Sequence, residues 1–288
     1  MRVTKLNHFI EVGRSKITGD VWITIHCGSR NFGKQICEFH QGRAVSILEN
    51  KRNTVLKAEI ENIKNYENRT EIQNKIKQIK IDLGLDFSDI NIHGMEYLEG
   101  QDAMLYYFDM IFAQKYAAFN RQRIMENIVK ILGCEVKESI ECVHNYINFS
   151  DMIIRKGAIS AYEDEKVIIP FNMADGLLIC RGKSNPDWNF SAPHGAGRLL
   201  SRGEASRKIE LDDFVDRMSN VVSTSVGRNT LDEAPQAYKN AKMIEEAIKP
   251  TVEIIDRIVP MLNLKDGGDG ETWKERRIKM KADKKRGN

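Results

Sequence analysis

The chain has 288 residues, 41% of them hydrophobic and 30% charged, and a formal net charge of +3. Those fractions fit a globular protein with one large domain or two modest ones, and no apolar stretch is long enough to cross a bilayer. Between Lys274 and Arg286 eight Lys and Arg stand against two acids, Glu275 and Asp283, so this tail carries +6 and the remainder −3. Any basic surface on the folded body is therefore local, and 268–288 reads as a basic, disordered tail with a general attraction to phosphate.

The opening reads as short strands. Val3–Val12 and Val21–Ile25 are rich in β-branched and apolar residues, and turn signals at Gly13 and Gly19 separate them. From Phe32 to about Leu83 the period changes. Leu56, Ile60 and Ile63 recur at i, i+4 and i+7, and Ile72, Ile76 and Ile79 repeat that spacing. The pattern predicts two helices broken near Asn65–Arg69, a helical hairpin inserted over about 40–83. A further helix is expected over Gln101–Ile131, with Met104, Tyr107, Phe108, Ile111, Tyr116 and Phe119 as a core-facing stripe. Strands return over Glu141–Cys180, with turns at Lys156-Gly157 and Asp175-Gly176. Leu211–Met218 and Ala234–Ile258 read as helices, and Gly267, Gly268 and Gly270 end the ordered chain. Mixed strands and helices without regular alternation predict an α+β fold with a mixed or antiparallel sheet.

The five cysteines (Cys27, Cys37, Cys134, Cys142, Cys180) are scattered and include no Cys-x-x-Cys pair. Neither a zinc ribbon nor a disulfide framework is indicated, and a reducing, cytoplasmic setting is expected. Of six histidines, four sit in distinctive contexts: His8 in Asn7-His8-Phe9-Ile10-Glu11, His26 before Cys27-Gly28-Ser29-Arg30, His144 before Asn145, and His194 at the head of His194-Gly195-Ala196-Gly197-Arg198. His40 and His93 stand in no such context. Histidines at strand ends beside glycine turns can converge on one metal site, since turns release side chains from the sheet face. Taken singly, each is better explained as a structural histidine than as a ligand. For His194, two flanking glycines let backbone N–H groups approach a phosphate, and Arg198 offers a planar fork for phosphate oxygens. A neutral imidazole in that setting can attack an α-phosphate. A polar side chain on a glycine-rich turn fits the same residues.

These motifs, followed in order by Arg155-Lys156-Gly157-Ala158 upstream of the His194 run, Ser201-Arg202, Asp232-Glu233-Ala234-Pro235-Gln236-Ala237-Tyr238-Lys239 and Leu264-Lys265-Asp266-Gly267, resemble RNA ligases of the RtcB family from about Asn7 to Gly267. The resemblance implies a ligase domain over 1–267. It would join RNA 2′,3′-cyclic phosphate or 3′-phosphate ends to 5′-hydroxyl ends with GTP and Mn²⁺, acting on tRNA halves or damaged RNA. By position, His194 matches the histidine that takes GMP. His8, His26 and His144 match metal ligands. Asn7, Glu11 and Asn145 match residues lining the GTP phosphates or metals, and Pro170, Asn172 and Met173 match a nucleotide-contacting turn. Gly195, Ala196, Gly197 and Arg198 match the guanylate pocket, and Tyr238 and Lys265 match residues near the guanine. An activating archease-like protein is an expected partner, and no membrane is.

The family also carries an N-terminal segment with an Asp-x-x-Cys motif, whose Asp binds metal and whose Cys bridges two ions; this sequence has no Asp-x-x-Cys. Cys27 is no ready substitute, because neighbours on a strand point to opposite faces. Lys5-Leu6 stands where Gly-Gly is usual, Asn172 in a turn often written Gly-Ser-Met, and Leu177 where Ser is common. Three readings stay open: one part of a split ligase completed by a separate N-terminal chain, a truncated ligase, and a non-catalytic RNA-binding protein on the same scaffold. A metal-dependent phosphatase or nuclease using the three histidines would leave the His194 run unexplained.

Overall fold

The computed structural model describes residues 8–63, 69–82 and 96–265. Expectations resting on Asn7, His93, the hairpin break and the tail after Lys265 lie outside them. The elements in chain order are β1 (Phe9–Ser15), β2 (Val21–His26), α1 (Arg30–Ile63), α2 (Arg69–Asp82), α3 (Gly100–Leu132), β3 (Asn145–Asn148), β4 (Ile153–Lys156), β5 (Ala158–Ser160), β6 (Lys166–Pro170), β7 (Leu177–Gly182), β8 (Ser191–Pro193), α4 (Arg202–Lys208), α5 (Leu211–Arg217), α6 (Ala241–Ile248) and β9 (Val252–Lys265). Residues Gly28–Asn120 form one compact unit, and the segments on either side of it together form another.

The second unit is built on a five-stranded sheet in the order β2-β1-β9-β7-β6, antiparallel throughout. Two-stranded sheets β3-β4 and β5-β8 accompany it. With the helices this is the α+β fold expected. The run Leu177-Leu178-Ile179-Cys180 is buried on both faces. Leu178 and Cys180 join Ile159, Val167, Ile169, Ile244, Ile248 and Val252, while Leu177 and Ile179 meet Ile258 on the other side. A third cluster, centred on Phe214 with Met173, Ala205, Met218 and Leu231, sits beneath α4 and α5. Ser201 and Glu204 form a capping box that starts α4, a helix the hydrophobic pattern did not announce.

Two expectations are corrected. Ala234–Ile258 is not one helix. A 3-10 turn at Pro235–Ala237 and the short α6 give way after Pro250 to β9, the central strand. Ile244, Ile248 and Val252 keep a four-residue spacing that mimics a helix. Pro250 and the β-branched run from Thr251 to Val259 decide for a strand, which is bulged opposite Val12/Gly13 and at Ile179/Cys180. Nor does the stripe on α3 face a core. No residue of α3 is buried, and Met104, Phe108, Tyr116 and Phe119 are exposed, with Tyr107 and Ile111 half-buried. Periodicity identifies an apolar face without naming what covers it.

Within the helical unit, α1 and α3 are joined by His40 Nε2 to Asp109 Oδ2 at 2.7 Å, by Arg43 to Asp102, and by Phe32 against Tyr116. On α2, Ile72, Ile76 and Ile79 are half-buried and the residues between them exposed, as their spacing predicts. No helix among the described residues is long and apolar enough to cross a membrane.

The turns predicted at Lys156-Gly157 and Asp175-Gly176 are present, whereas the one predicted at Gly13 is a third correction: Gly13 lies inside β1, paired with Trp22 and Pro260. Gly157 (φ +67°) separates β4 from β5, and Gly176 (φ +72°) closes the β6-β7 hairpin. Gly182 is small for a different reason: a Cβ there would stand 2.1 Å from Tyr162 O and 2.5 Å from Ala161 C. Backbone cannot rotate aside as a side chain can, so Gly182→Ala is expected to lose about 2 kcal/mol of stability. A lower urea midpoint at unchanged m-value would show it, and an unchanged midpoint would refute it.

Candidate active site

Four histidines from four separate segments line up at one end of the sheet. His8 precedes β1, His26 closes β2, His144 precedes β3 and His194 follows β8. His8 Nδ1 lies 3.2 Å from His26 O, and His26 Nε2 lies 3.0 Å from His144 Nε2. The His144 and His194 rings follow at 4.7 Å between centroids, inclined by 31°. Burial, then the neighbouring His194 and His26, push the His144 imidazole down to about 4. It is therefore neutral at pH 7 and offers one ring lone pair.

His194 is oriented by backbone. Its Nδ1 sits 2.6 Å from Gly157 O, and a carbonyl only accepts, so Nδ1 carries the proton and the neutral ring keeps its lone pair on Nε2. The N–H of Gly157 donates to His144 O at 2.8 Å and to Asn145 Oδ1 at 2.9 Å. One turn thus fixes His194 and the approach to His144 together. Just after His194, the Ala196 N–H donates to Pro170 O at 3.1 Å, and Gly195 passes so close that a Cβ would lie 2.9 Å from that oxygen.

Two nitrogens 3.0 Å apart suit neighbouring ligands on one cation, since bonds of about 2.1 Å at right angles place their ends about 3 Å apart. His26 and His144 therefore fit a divalent ion. Among the described residues, however, no three His, Cys, Asp or Glu side chains are set to enclose one. His8 stands one place removed, its Nδ1 against the His26 carbonyl.

A second polar group lies on the same sheet. Register sets His26, Phe9 and Lys265 side by side across β2, β1 and β9, with Glu11 beside Asn263 two residues further along. Asn263 Nδ2 donates to Glu11 Oε2 at 2.7 Å, and both side chains are buried. Burial outweighs Asn263 and Lys265 and raises the Glu11 carboxyl to about 7. Lys265 Nζ reaches Glu233 Oε2 at 2.6 Å, and the Tyr238 hydroxyl donates to the same oxygen at 2.9 Å. Arg202 pairs with Asp232 and Glu233. Burial works to raise the Glu233 carboxyl; Lys265 and Arg202 overcome it and hold it below its ordinary value.

The other candidates divide. Arg198 donates to Leu200 O, Asp232 O and the Tyr238 hydroxyl and lies over the Tyr238 ring, so its fork is engaged by the protein itself. Gly197 is exposed, and the backbone of Lys239 donates to its carbonyl. Met173 and Ala196 are core residues. Asn172 caps its own turn, accepting from Ala174 N and Asp175 N. Leu177 is buried within β7 and pairs with Pro170. Sequence reading singled out neither Asn263 nor Glu233. Once Val259–Lys265 is read as a strand, Asn263 shows itself as an amide at a core position, and Glu233 follows an acid in a run otherwise bound for the interior.

The family model described as tRNA-splicing ligase RtcB matches residues 6–266. The RNA-splicing ligase RtcB of Escherichia coli strain K12 is 28% identical over 266 residues, covering 86% of this chain and 57% of that protein. The tRNA-splicing ligase RtcB of Archaeoglobus fulgidus is 28% identical over 259 residues, covering 77% and 47%. That of Methanopyrus kandleri is 26% identical over 274 residues, covering 80% and 25%. The chain spans about half the length of the first two of these relatives.

Proposed function

The chain belongs to the tRNA-splicing ligase RtcB family, and from that premise we propose that it carries the nucleotide-transfer centre of an RNA ligase that uses GTP and Mn²⁺. The observation that supports this most directly is His194, whose Nδ1–H is held by Gly157 O so that Nε2 is left nucleophilic. In this reading Nε2 attacks the α-phosphorus of GTP. A P–N bond forms, the bond to the pyrophosphate oxygen breaks, and the positive charge growing on the ring is stabilised through Nδ1–H by the Gly157 carbonyl. An oxygen of an RNA 3′-phosphate then takes the guanylate from His194, and attack by a 5′-hydroxyl on the activated end expels GMP.

His26 and His144 would hold Mn²⁺ in this reading, with His8 beside them. The ion supplies charge neutralisation and alignment at the phosphates. Asn145 shapes the Gly157 turn. Lys265 and Tyr238, joined through Glu233, form the side on which the base sits, with Arg198 holding Tyr238 in place, and Glu11, held by Asn263, lines the GTP phosphates or the metal. RNA ends, from tRNA halves or damaged RNA, are the substrates, and an archease-like activator is a partner in the same reading.

Incubation with GTP and Mn²⁺ followed by intact-mass analysis tests it. The expected result is a gain of one guanylate that is lost in acid and stable in alkali, as a phosphoramidate is. No adduct from the chain, alone or with a polypeptide supplying the portion of its relatives that it does not span, would overturn the reading.

A further inference from the structure

Behind His194 lies a buried cation that the proposed reaction leaves without a role. Arg155, in β4, has a side chain only 1% exposed, with its guanidinium inside the protein. Its Nε donates to Ser191 Oγ at 2.9 Å, and Nη1 and Nη2 both donate to Asp151 Oδ2 at 3.1 Å. Nη1 also reaches the Tyr146 hydroxyl at 3.4 Å, and Nη2 reaches the carbonyls of Asn189 and Phe190 at 3.4 and 3.5 Å. The Tyr146 and Tyr162 rings each lie 5.8 Å from the guanidinium carbon.

The partners share a purpose. Asn189 and Phe190 are consecutive left-handed residues, φ +49° and +51°, just ahead of β8. Neither is glycine, so each is costly unless its surroundings hold it. Ser191 opens β8, and His194 is the residue after that strand's last. In the other direction along its own strand, Arg155 is two residues from Gly157, whose carbonyl takes His194 Nδ1–H. Asp151, Tyr146 and Arg155 all belong to the β3-β4 hairpin, which begins directly after His144. One guanidinium therefore joins the strand that delivers His194 to the strand that supplies its acceptor.

A buried ion pair is a weak source of stability, since desolvation cancels most of the attraction. What several directed donors provide is geometry, and a lysine, with three donors about one point, cannot reproduce the fork. We propose that Arg155 is the positioning residue for His194: it fixes β8 against the Gly157 turn, so that the imidazole keeps its Nδ1–H tautomer and aims Nε2 at the nucleotide. This rests on the assignment of His194 as nucleophile.

The test uses the full chain, with any completing polypeptide the ligase needs, and compares wild type with Arg155→Lys and the milder Ser191→Ala. Two quantities are read: the kcat and KM of guanylate adduct formation, and the His194 tautomer from imidazole ¹⁵N shifts without nucleotide. Expected for Arg155→Lys is a kcat lower by about 100-fold, a KM for GTP within about threefold, and a mixture of tautomers. Ser191→Ala, which removes the acceptor of Arg155 Nε together with the hydroxyl's donation to Asn189 O, is expected to lower kcat by about tenfold at unchanged KM, and it decides the matter should Arg155→Lys not fold. A merely structural role would leave the tautomer and the kcat of folded variants as they are, and that result overturns the proposal. If wild type forms no adduct, the nucleophile assignment fails by itself, and the tautomer measurement still decides whether Arg155 orients the ring.

Discussion

His194→Ala is expected to abolish the guanylate adduct, lowering its formation by at least about 10³-fold while the protein stays folded. The ring is half-buried and among the described residues hydrogen-bonds a backbone carbonyl, so its loss leaves no buried charge behind. Stability should fall by no more than about 1 kcal/mol. His144→Ala makes the useful contrast. It removes an imidazole held neutral by burial and by its neighbours, and with it half of the pair 3.0 Å apart. It should slow the reaction and raise the Mn²⁺ requirement while the label stays on His194. Label persisting in His194→Ala, at comparable yield, would mean that another residue is the nucleophile.

Glu11→Gln is expected to make the protein more stable at pH 8 and worse at binding nucleotide. The Glu11 carboxyl is raised from 4.5 to about 7 by burial. Between those two values the unfolded chain gives up its proton and the folded chain keeps it, so the unfolded state binds fewer protons and stability falls as pH rises. Above about 7 both forms are ionised and the loss levels off, at about 3 kcal/mol for a shift of this size. Glutamine keeps an acceptor for Asn263 Nδ2 and carries no charge to bury. The advantage of the variant should therefore be absent near pH 4.5, grow through pH 7 and stay flat beyond. Urea titrations at pH 5 and pH 8 check it, and an equal difference at both would show that Glu11 does not titrate in this window. Weaker GTP binding alongside greater stability would mark a group kept for its ligand.

How much of this was legible beforehand differs between the two polar groups. Of the four histidines, His26 and His194 stood out beside glycine turns, which aim side chains off the sheet, while His8 and His144 sat within strand-like runs and were picked out by the family resemblance. Their order along the row was not legible, since it depends on which strands pair: β1 with β2 sets His26 across from Phe9, and β5 with β8 carries His194 back to the Gly157 turn. The Glu11–Asn263 and Lys265–Glu233 contacts were beyond local pattern altogether. The first requires β9 to lie beside β1, and Ala234–Ile258, which includes the start of β9, had been read as a helix. The α3 stripe failed in another way. Its period was right, and only the assumption that an apolar face is a buried one was not.

The acceptor that holds His194 is a main-chain oxygen. No single amino-acid replacement at position 157 can delete it, because every residue brings the same carbonyl; a replacement can only swing it away by altering a φ of +67°. Comparison of natural variants would register a retained glycine and record nothing of the hydrogen bond it serves. Directed evolution would meet the same wall: side-chain libraries can retune the histidines freely, while the handle that orients His194 changes only when the loop itself is rebuilt.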